Sequence, residues 1–432
     1  MTFRILLASL LACAVCHTGS ATTIIVDSAA DENESTPANG NCTLREAVIA
    51  ANTNAAVDDC LAGESTPVVD LIRIPNGVFV LSLAETGDAS GGSLDLIEEA
   101  DLRGQSSDST VIDCNGEPFQ AVFEVPSGST VEISDLLVRG GSSSFYGIKN
   151  EGNLTLTKCR IAHNNGKGIG NWGVMAVSRS IISHNYGATS GSGVYNGGVF
   201  TIEDSTVTRN SGGGGGISNV SNLILNRTEV SLNERTGIGG NGTVEIMNST
   251  ISGNDAGTLT GGGITVAANG TLVINNSTIT GNNASYGSGL FVSTGGFAQV
   301  QNTIIAGNTG SADCDNYGTI LTTGGNIESP GNSCGFTDPA DRFNVPMVDL
   351  ALGPLLSHGG VTKVHGLLPT SVAIDTGVST GPIHGCPGMD QRSRLRTDGL
   401  CDVGPVEVQP GEDMTHLFAD GFESGGIGMW SL

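Results

Sequence analysis

Ile246-Met247-Asn248-Ser249-Thr250-Ile251-Ser252-Gly253-Asn254 reads as an apolar residue, two variable residues, Ser or Thr, one variable residue, Ile or Val, two variable residues, then Asn. The same pattern returns at Leu156 to Asn164, Val177 to Asn185, Ile202 to Asn210, Leu225 to Asn233, Ile274 to Asn282 and Val300 to Asn308, with a degenerate copy at Ile133 to Gly141. Successive closing asparagines lie 21, 25, 23, 21, 28 and 26 residues apart. A period of this length, with strand-like alternation and glycine-rich corners, fits one solenoid coil per repeat, and the segment shows no helical periodicity. The expected fold is therefore all-β: a single-stranded right-handed parallel β-helix, since parallel crossovers are almost always right-handed.

Stacked coils put equivalent side chains in columns about 4.8 Å apart. Ser180, Ser205, Thr228, Ser249, Ser277 and Thr303 alternate with Ile182, Val207, Val230, Ile251, Ile279 and Ile305, and both sets are expected to face inward from one strand, with the residues between them pointing out. The closing asparagines are expected at a corner, in left-handed backbone, bonded amide to amide along the column.

The first residues give a basic start at Arg4, an apolar run from Ile5 to Cys16 and a small-residue exit at Gly19-Ser20-Ala21, a secretory signal pattern with cleavage expected after Ala21. Lipoprotein processing at Leu10-Leu11-Ala12-Cys13 is the alternative, disfavoured by the bulky Leu11. Eight cysteines then remain, and an even count in an exported chain fits oxidised pairs. Proximity in sequence pairs Cys42 with Cys60, Cys314 with Cys334 and Cys386 with Cys401. Cys114 and Cys159 stand about two coils apart, beyond disulfide reach in a simple stack, and are read as buried thiols, with a fourth disulfide as the alternative if one coil is irregular. No later apolar stretch has the length of a membrane-spanning helix.

Thr43 and Glu46 have the spacing of a capping box opening a short amphipathic helix, which here can cover the open first coil. Downstream, Leu71 to Ile74, Val78 to Leu81, Leu94 to Ile97 and Thr110 to Ile112 read as the first strands. The stretch Asn41-Cys42-Thr43-Leu44-Arg45-Glu46-Ala47-Val48 with Ala50-Ala51-Asn52 resembles the CSLREA domain found at the start of exported β-helix proteins. Gly214-Gly215-Gly216-Ile217 and Gly261-Gly262-Gly263-Ile264, with the closing asparagines, resemble polymorphic outer-membrane-protein repeats. After about Asp338 the composition changes. Leu352-Gly353-Pro354-Leu355, His365-Gly366-Leu367-Leu368-Pro369, Ala373-Ile374-Asp375-Thr376-Gly377, Asp390-Gln391-Arg392 and Cys401-Asp402-Val403-Gly404 resemble the choice-of-anchor Q domain, with Ser393 standing where that family has Gly. Phe418-Ala419-Asp420-Gly421-Phe422-Glu423-Ser424-Gly425 resembles a short tail of exported bacterial proteins, to be read either as a sorting or processing signal or as a final strand that packs its aromatics. The expected organisation is a signal peptide at 1–21, an N-terminal cap with the first coils at 22–104, β-helix repeats at 105–337, a C-terminal region at 338–409, and a linker and tail at 410–432.

A net charge of -25 argues against nucleic acid or an anionic membrane as partner. Against that background the cations cluster. Lys149, Lys158 and Lys167 are three of the four lysines, Arg139, Arg160, Arg179, Arg209 and Arg227 lie on the same coils, and no Lys or Arg occurs from Thr236 to Asp341. His163, His184 and Arg209 share one repeat position on successive coils and are expected to stack about 5 Å apart. The candidate ligand-binding set is Lys158, Arg160, His163, Trp172, Arg179, His184 and Arg209, a groove for an anionic polymer with Trp172 and Tyr186 as sugar-stacking platforms. The plainer reading is that these charges solvate the exterior and balance Asp204 and Glu229.

The acidic residues Asp204, Glu229, Glu245 and Asp255 come mostly singly, without the facing carboxyl pair that glycoside hydrolysis needs. No catalytic residue is assigned. Asp313 and Asp315 have poor spacing for a calcium loop, and a turn through Cys314 explains them more simply; no cofactor or metal is called for, calcium being the one candidate. The many Asn-x-Ser/Thr triplets follow from the adjoining Asn and Ser/Thr columns. The leading expectation is a secreted or cell-surface monomer that binds or adheres to extracellular polysaccharide or a surface protein. The alternative is a pectate-lyase-like polysaccharide lyase or a glycoside hydrolase acting on a uronate-containing polymer.

Overall fold

The computed structural model describes residues 22–33, 38–84, 86–115, 121–142, 146–382, 385–396, 399–409, 411–412 and 414. The signal segment and the aromatic tail lie outside the described residues. The chain is a right-handed parallel β-helix. Among the described residues, sheet A has 12 strands from Thr23–Ile25 to Thr319–Thr322, sheet B has 11 from Gly77–Val80 to Ile327–Ser329, and sheet C has 10 from Leu94–Asp95 to Cys314–Asn316. One coil runs along Tyr146–Asn150 in sheet C, Asn153–Thr157 in sheet A and Arg160–Ala162 in sheet B, and each strand pairs in parallel with its equivalent one coil on.

The inward columns differ in one respect from expectation. Ile161, Ile182, Val207, Val230, Ile251, Ile279 and Ile305 are fully buried from sheet B, but the Ser/Thr column does not share their strand. Ser180 sits in the corner between Val174–Ser178 and Ile181–Ser183, where its hydroxyl accepts the backbone N–H of Cys159 at 3.0 Å. Two inward residues so close together in sequence need an extra reversal, which a left-handed residue before each supplies. Lys158, Arg179, Asp204 and Arg227 precede the Ser/Thr column with φ of 48 to 54°, and His163, His184, Arg209 and Leu232 precede the asparagines with φ of 53 to 57°.

The left-handed backbone thus belongs to the residue before each asparagine, not to the asparagine itself. The amide is free to turn inward, where every closing asparagine from Asn164 to Asn282 is buried. From Asn185 on, each Oδ1 accepts both the backbone N–H and the Nδ2–H of the asparagine one coil earlier, as Asn254 does from Asn233 at 3.1 and 2.9 Å, while Asn164 Oδ1 accepts the Gly141 N–H at 3.0 Å. A second amide column, Asn150, Asn171, Asn196 and Asn219, runs along the C-to-A turn, with Nδ2 to Oδ1 distances of 2.7, 2.8 and 2.7 Å. The repeat pattern does not reveal it, because it sits outside the nine-residue window.

The first column ends on a carboxylate: Asp313 Oδ1 accepts from Asn308 N at 3.0 Å and from Asn308 Nδ2 at 2.7 Å. Burial raises this carboxyl from an ordinary 3.8 to about 6, against the lowering effect of those two bonds. The folded chain therefore holds the proton more tightly than the unfolded one. The stability this contributes is full below pH 3.8 and is lost as the pH rises through about 6. Asp313→Asn, which keeps an acceptor for both donors, is expected to flatten the pH dependence of the urea midpoint across that window. A slope left unchanged would assign the effect to other buried carboxyls.

The first coils are covered by a short helix. The helix Leu44–Thr53 opens with a complete Thr43/Glu46 capping box. Arg45 is buried, reaching Asp31 at 2.6 Å and the carbonyls of Ala89 and Gly92 at 2.9 Å each. The first strand, Thr23–Ile25, precedes this helix and pairs with Asp70–Arg73, an element the sequence reading did not find. Cys42–Cys60, Cys314–Cys334 and Cys386–Cys401 are disulfide-bonded, while Cys114 and Cys159 are buried outside any disulfide, burial pushing the Cys159 thiol up to about 12.

After the last coil the chain doubles back over the outer face of sheet B. Gln391 Oε1 accepts from Thr250 at 2.7 Å, His365 Nε2 meets Ser252 Oγ at 2.9 Å, and Lys363 N donates to Glu229 at 3.1 Å. The returning segment is clamped by a buried Arg392–Asp390 pair at 2.8 Å and an Arg396–Glu407 pair. Ser393 holds φ 63°, a conformation that glycine adopts more readily. The cover explains why outward residues of later coils, Thr250, Ser252, Thr278 and Ile304, are buried.

Candidate functional site

On the earlier strands of sheet B, Arg160–Ala162, Ile181–Ser183 and Thr206–Thr208, the first outward position, at Arg160, Ile181 and Thr206, stays at least partly exposed, while the second, at Ala162, Ser183 and Thr208, is buried. There the two left-handed corners flank a three-residue strand, and both turn their side chains outward. Lys158 and Arg179 line the A-to-B corner; His163, His184 and Arg209 line the B-to-C corner. Arg160 projects from the strand between them. Six of the seven candidate residues therefore share one narrow face, and Trp172 does not: it stands at the opposite edge of sheet C, in the C-to-A turn. Tyr186 is 52% exposed and begins the short strand Tyr186–Ser190 just past the B-to-C corner, so it does not join Trp172 as a platform.

The histidine rings of successive coils stack at 5.0 Å with 20° between planes. His184 is held below the ordinary imidazole value by partial burial first, then by the positive field of His163, Arg209 and Arg160. Lys158, Arg179, His163, His184 and Arg209 are exposed, and holding such residues in left-handed backbone costs about 1–2 kcal/mol each relative to the right-handed form. In later coils the same positions are Asn248, Asn276 and Asn302, or Gly253, Gly281 and Gly307, residues at ease there. The long cationic side chains sit where the face is open.

Several acidic residues near this face are already engaged. Arg139 binds Asp113 at 2.7 Å, Arg160 binds Asp108 at 3.0 Å, and Arg227 binds Asp204 at 2.7 Å and also Glu203. Glu229 ends the open stretch, buried under Lys363 and taking a bond from Ser231, its carboxyl pushed up by burial. None of these carboxylates faces a second one across the row free of an arginine or the cover, so the face offers base and cation chemistry rather than a hydrolytic carboxyl pair.

Among the described residues no group of three or more His, Cys, Asp or Glu is placed to hold a metal ion. Asp315 accepts from Gly287 N at 2.7 Å, and Asp313 closes the asparagine column. A separate cavity of about 310 Å³ lies at the first coils, lined by Ile25, Arg73, Pro75 and Arg103, away from the histidine row. Among the described residues no helix is long and apolar enough to cross a membrane.

Coils of this kind, with columns of stacked amides and an open cationic face, define a right-handed parallel β-helix. Residues 149–309 match the family model described as the right handed beta helix region. The chain is similar in structure to the pectate lyase Pel9A, with a TM-score of 0.53 and 15% identity over 90% of this chain and 97% of that one. That likeness is one of fold. The A-module of the Azotobacter vinelandii mannuronan C-5 epimerase AlgE6 aligns over 60% of this chain and 91% of its own, at 16% identity and a TM-score of 0.38, too low to carry an argument. No curated protein matches the chain in sequence.

Proposed function

We propose that the protein acts on a uronate-containing polysaccharide at the open face of sheet B, by elimination rather than hydrolysis. The observation that carries this is the His184 ring, stacked on His163 at 5.0 Å, its proton affinity lowered by partial burial and then by the field of His163, Arg209 and Arg160. Elimination requires a base for the proton on the carbon bearing the carboxylate, and positive charge to hold the electron density that builds on that carboxylate. His184 takes the proton, the electron pair forms the carbon–carbon double bond, the C–O bond to the leaving sugar breaks, and the imidazolium or water protonates the leaving oxygen. Arg209 neutralises the carboxylate, and Arg160, paired with Asp108, adds to the positive field. The pectate lyase fold likeness favours this polysaccharide-active reading over the adhesive one. The signal-like start, the CSLREA-like cap and the anchor-Q-like end support an exported or surface location.

The test is incubation of the purified chain with polyuronate and with neutral glycans, following the ultraviolet absorbance of unsaturated ends. Product from polyuronate alone supports the reading; binding without product returns the protein to an adhesive role. The acidic limb of the rate profile is expected below the ordinary imidazole value of 6.5. Because activity needs the unprotonated ring, it rises with pH through that limb. Arg209→Gln removes one positive neighbour and is expected to move the limb upward; a limb that stays in place would exclude His184 as the base.

A further inference from the structure

Three successive coils each carry one residue of the histidine row and, on sheet C, one aromatic ring. Tyr146 shares a coil with His163, Trp172 with His184, and Tyr195 with Arg209. The rings touch one another. Tyr146 meets Trp172 edge-on with centroids 5.4 Å apart, and Trp172 lies tilted against Tyr195 at 5.5 Å. This is a concentration of aromatic surface in a chain with only two tryptophans and five tyrosines, and Trp172 remains 41% exposed.

Glycines make the arrangement possible. A Cβ at Gly170 would lie 2.6 Å from Tyr146 and 2.7 Å from Trp172, so the two rings close over bare backbone. Polar groups edge the platform: the Lys167 ammonium lies 5.3 Å from the Tyr146 centroid, and Lys149 is held by Glu124 at 3.1 Å and Glu151 at 3.6 Å. Aromatic faces flanked by hydrogen-bonding groups suit the apolar face of a pyranose ring, and a cation at the rim suits its carboxylate. The coil rise of about 4.8 Å is close to the length of one sugar unit, so rings on three coils span a short oligosaccharide.

We propose that Tyr146, Trp172 and Tyr195, with Lys167 at the rim, form a second saccharide subsite that takes the same acidic polymer as the sheet B face. The choice of ligand rests on the functional reading above; the subsite rests on the aromatic geometry. A chain bound at both places crosses the same three coils.

Trp172 reports on the subsite directly, since Trp430 is the only other tryptophan and Trp430→Phe silences it. In that background, titration with a uronate oligomer is expected to shift and saturate Trp172 emission. Gly170→Ala, which displaces the rings without deleting them, and Tyr195→Ala are each expected to weaken binding at least tenfold. Lys167→Ala is expected to abolish preference for the acidic over a neutral oligomer. No emission change with any oligomer overturns the proposal, as does an equal response to neutral and acidic oligomers in the parent. A response that tracks protein concentration alone identifies self-association instead and overturns it too. The emission response is expected to persist in His184→Asn. A failed elimination assay therefore sinks only the catalytic reading, and a silent Trp172 sinks only the subsite.

Discussion

Asn233→Ala is expected to destabilise the folded chain by about 1–3 kcal/mol, the cost of stranding the buried Asn210 N–H, while Asn210 Nδ2 keeps Ile182 O and Asn254 Oδ1 keeps Asn233 N. Asn233 Oδ1 is the acceptor for both Asn210 N and Asn210 Nδ2, each at 3.0 Å, and its own Nδ2 donates to Val207 O at 3.0 Å and Asn254 Oδ1 at 2.9 Å. Alanine removes all four bonds in a place with no access to bulk water: Asn210, Asn233 and Asn254 are each 1% exposed or less. The neighbouring residue provides the contrast. Leu232 is 46% exposed with φ 55°, so Leu232→Gly relieves left-handed strain and is expected to leave stability unchanged or raise it by up to about 1 kcal/mol. Chemical denaturation of the pair, compared by midpoint, checks both. A loss under about 1 kcal/mol for Asn233→Ala would show that a water replaces the amide and that the column is not what holds the coils in register.

His184→Asn is expected to lower the rate of elimination on polyuronate by about 10²–10⁴-fold, the usual contribution of a positioned general base. Asparagine is the informative replacement, because it tolerates the φ of 54° that the corner demands and leaves the fold intact. His163→Asn removes the stacked ring but no proton acceptor from the reaction, so a loss of less than tenfold is expected there. Initial rates of unsaturated-product formation at saturating polymer separate the two. Equal rates in parent and His184→Asn would make the face a binding surface, with its base elsewhere.

Much of the site was readable as spacing. His163, His184 and Arg209 occupy one repeat position, and stacking of equivalent positions follows from coil geometry, which the 5.0 Å ring separation matches. Trp172 was harder. It lies only nine residues beyond His163 in sequence, yet the strand Lys167–Asn171 intervenes and carries it to the far edge of sheet C, toward Tyr146 and Tyr195. Sequence proximity misleads in a solenoid, because residues a third of a coil apart face different directions while residues a full coil apart touch.

The chain's own pattern determined the coil, its period, the buried aliphatic and amide columns and the local cysteine pairs, since each depends on contacts repeated at fixed spacing or on short loops. Only the tertiary structure decided which exterior is open. The return of residues 360–407 across sheet B contacts Thr250 and Ser252 and leaves the corner residues His163, His184 and Arg209 exposed. That choice rests on contacts between residues more than a hundred positions apart, such as Thr250 with Gln391, for which no repeat leaves a mark in the sequence.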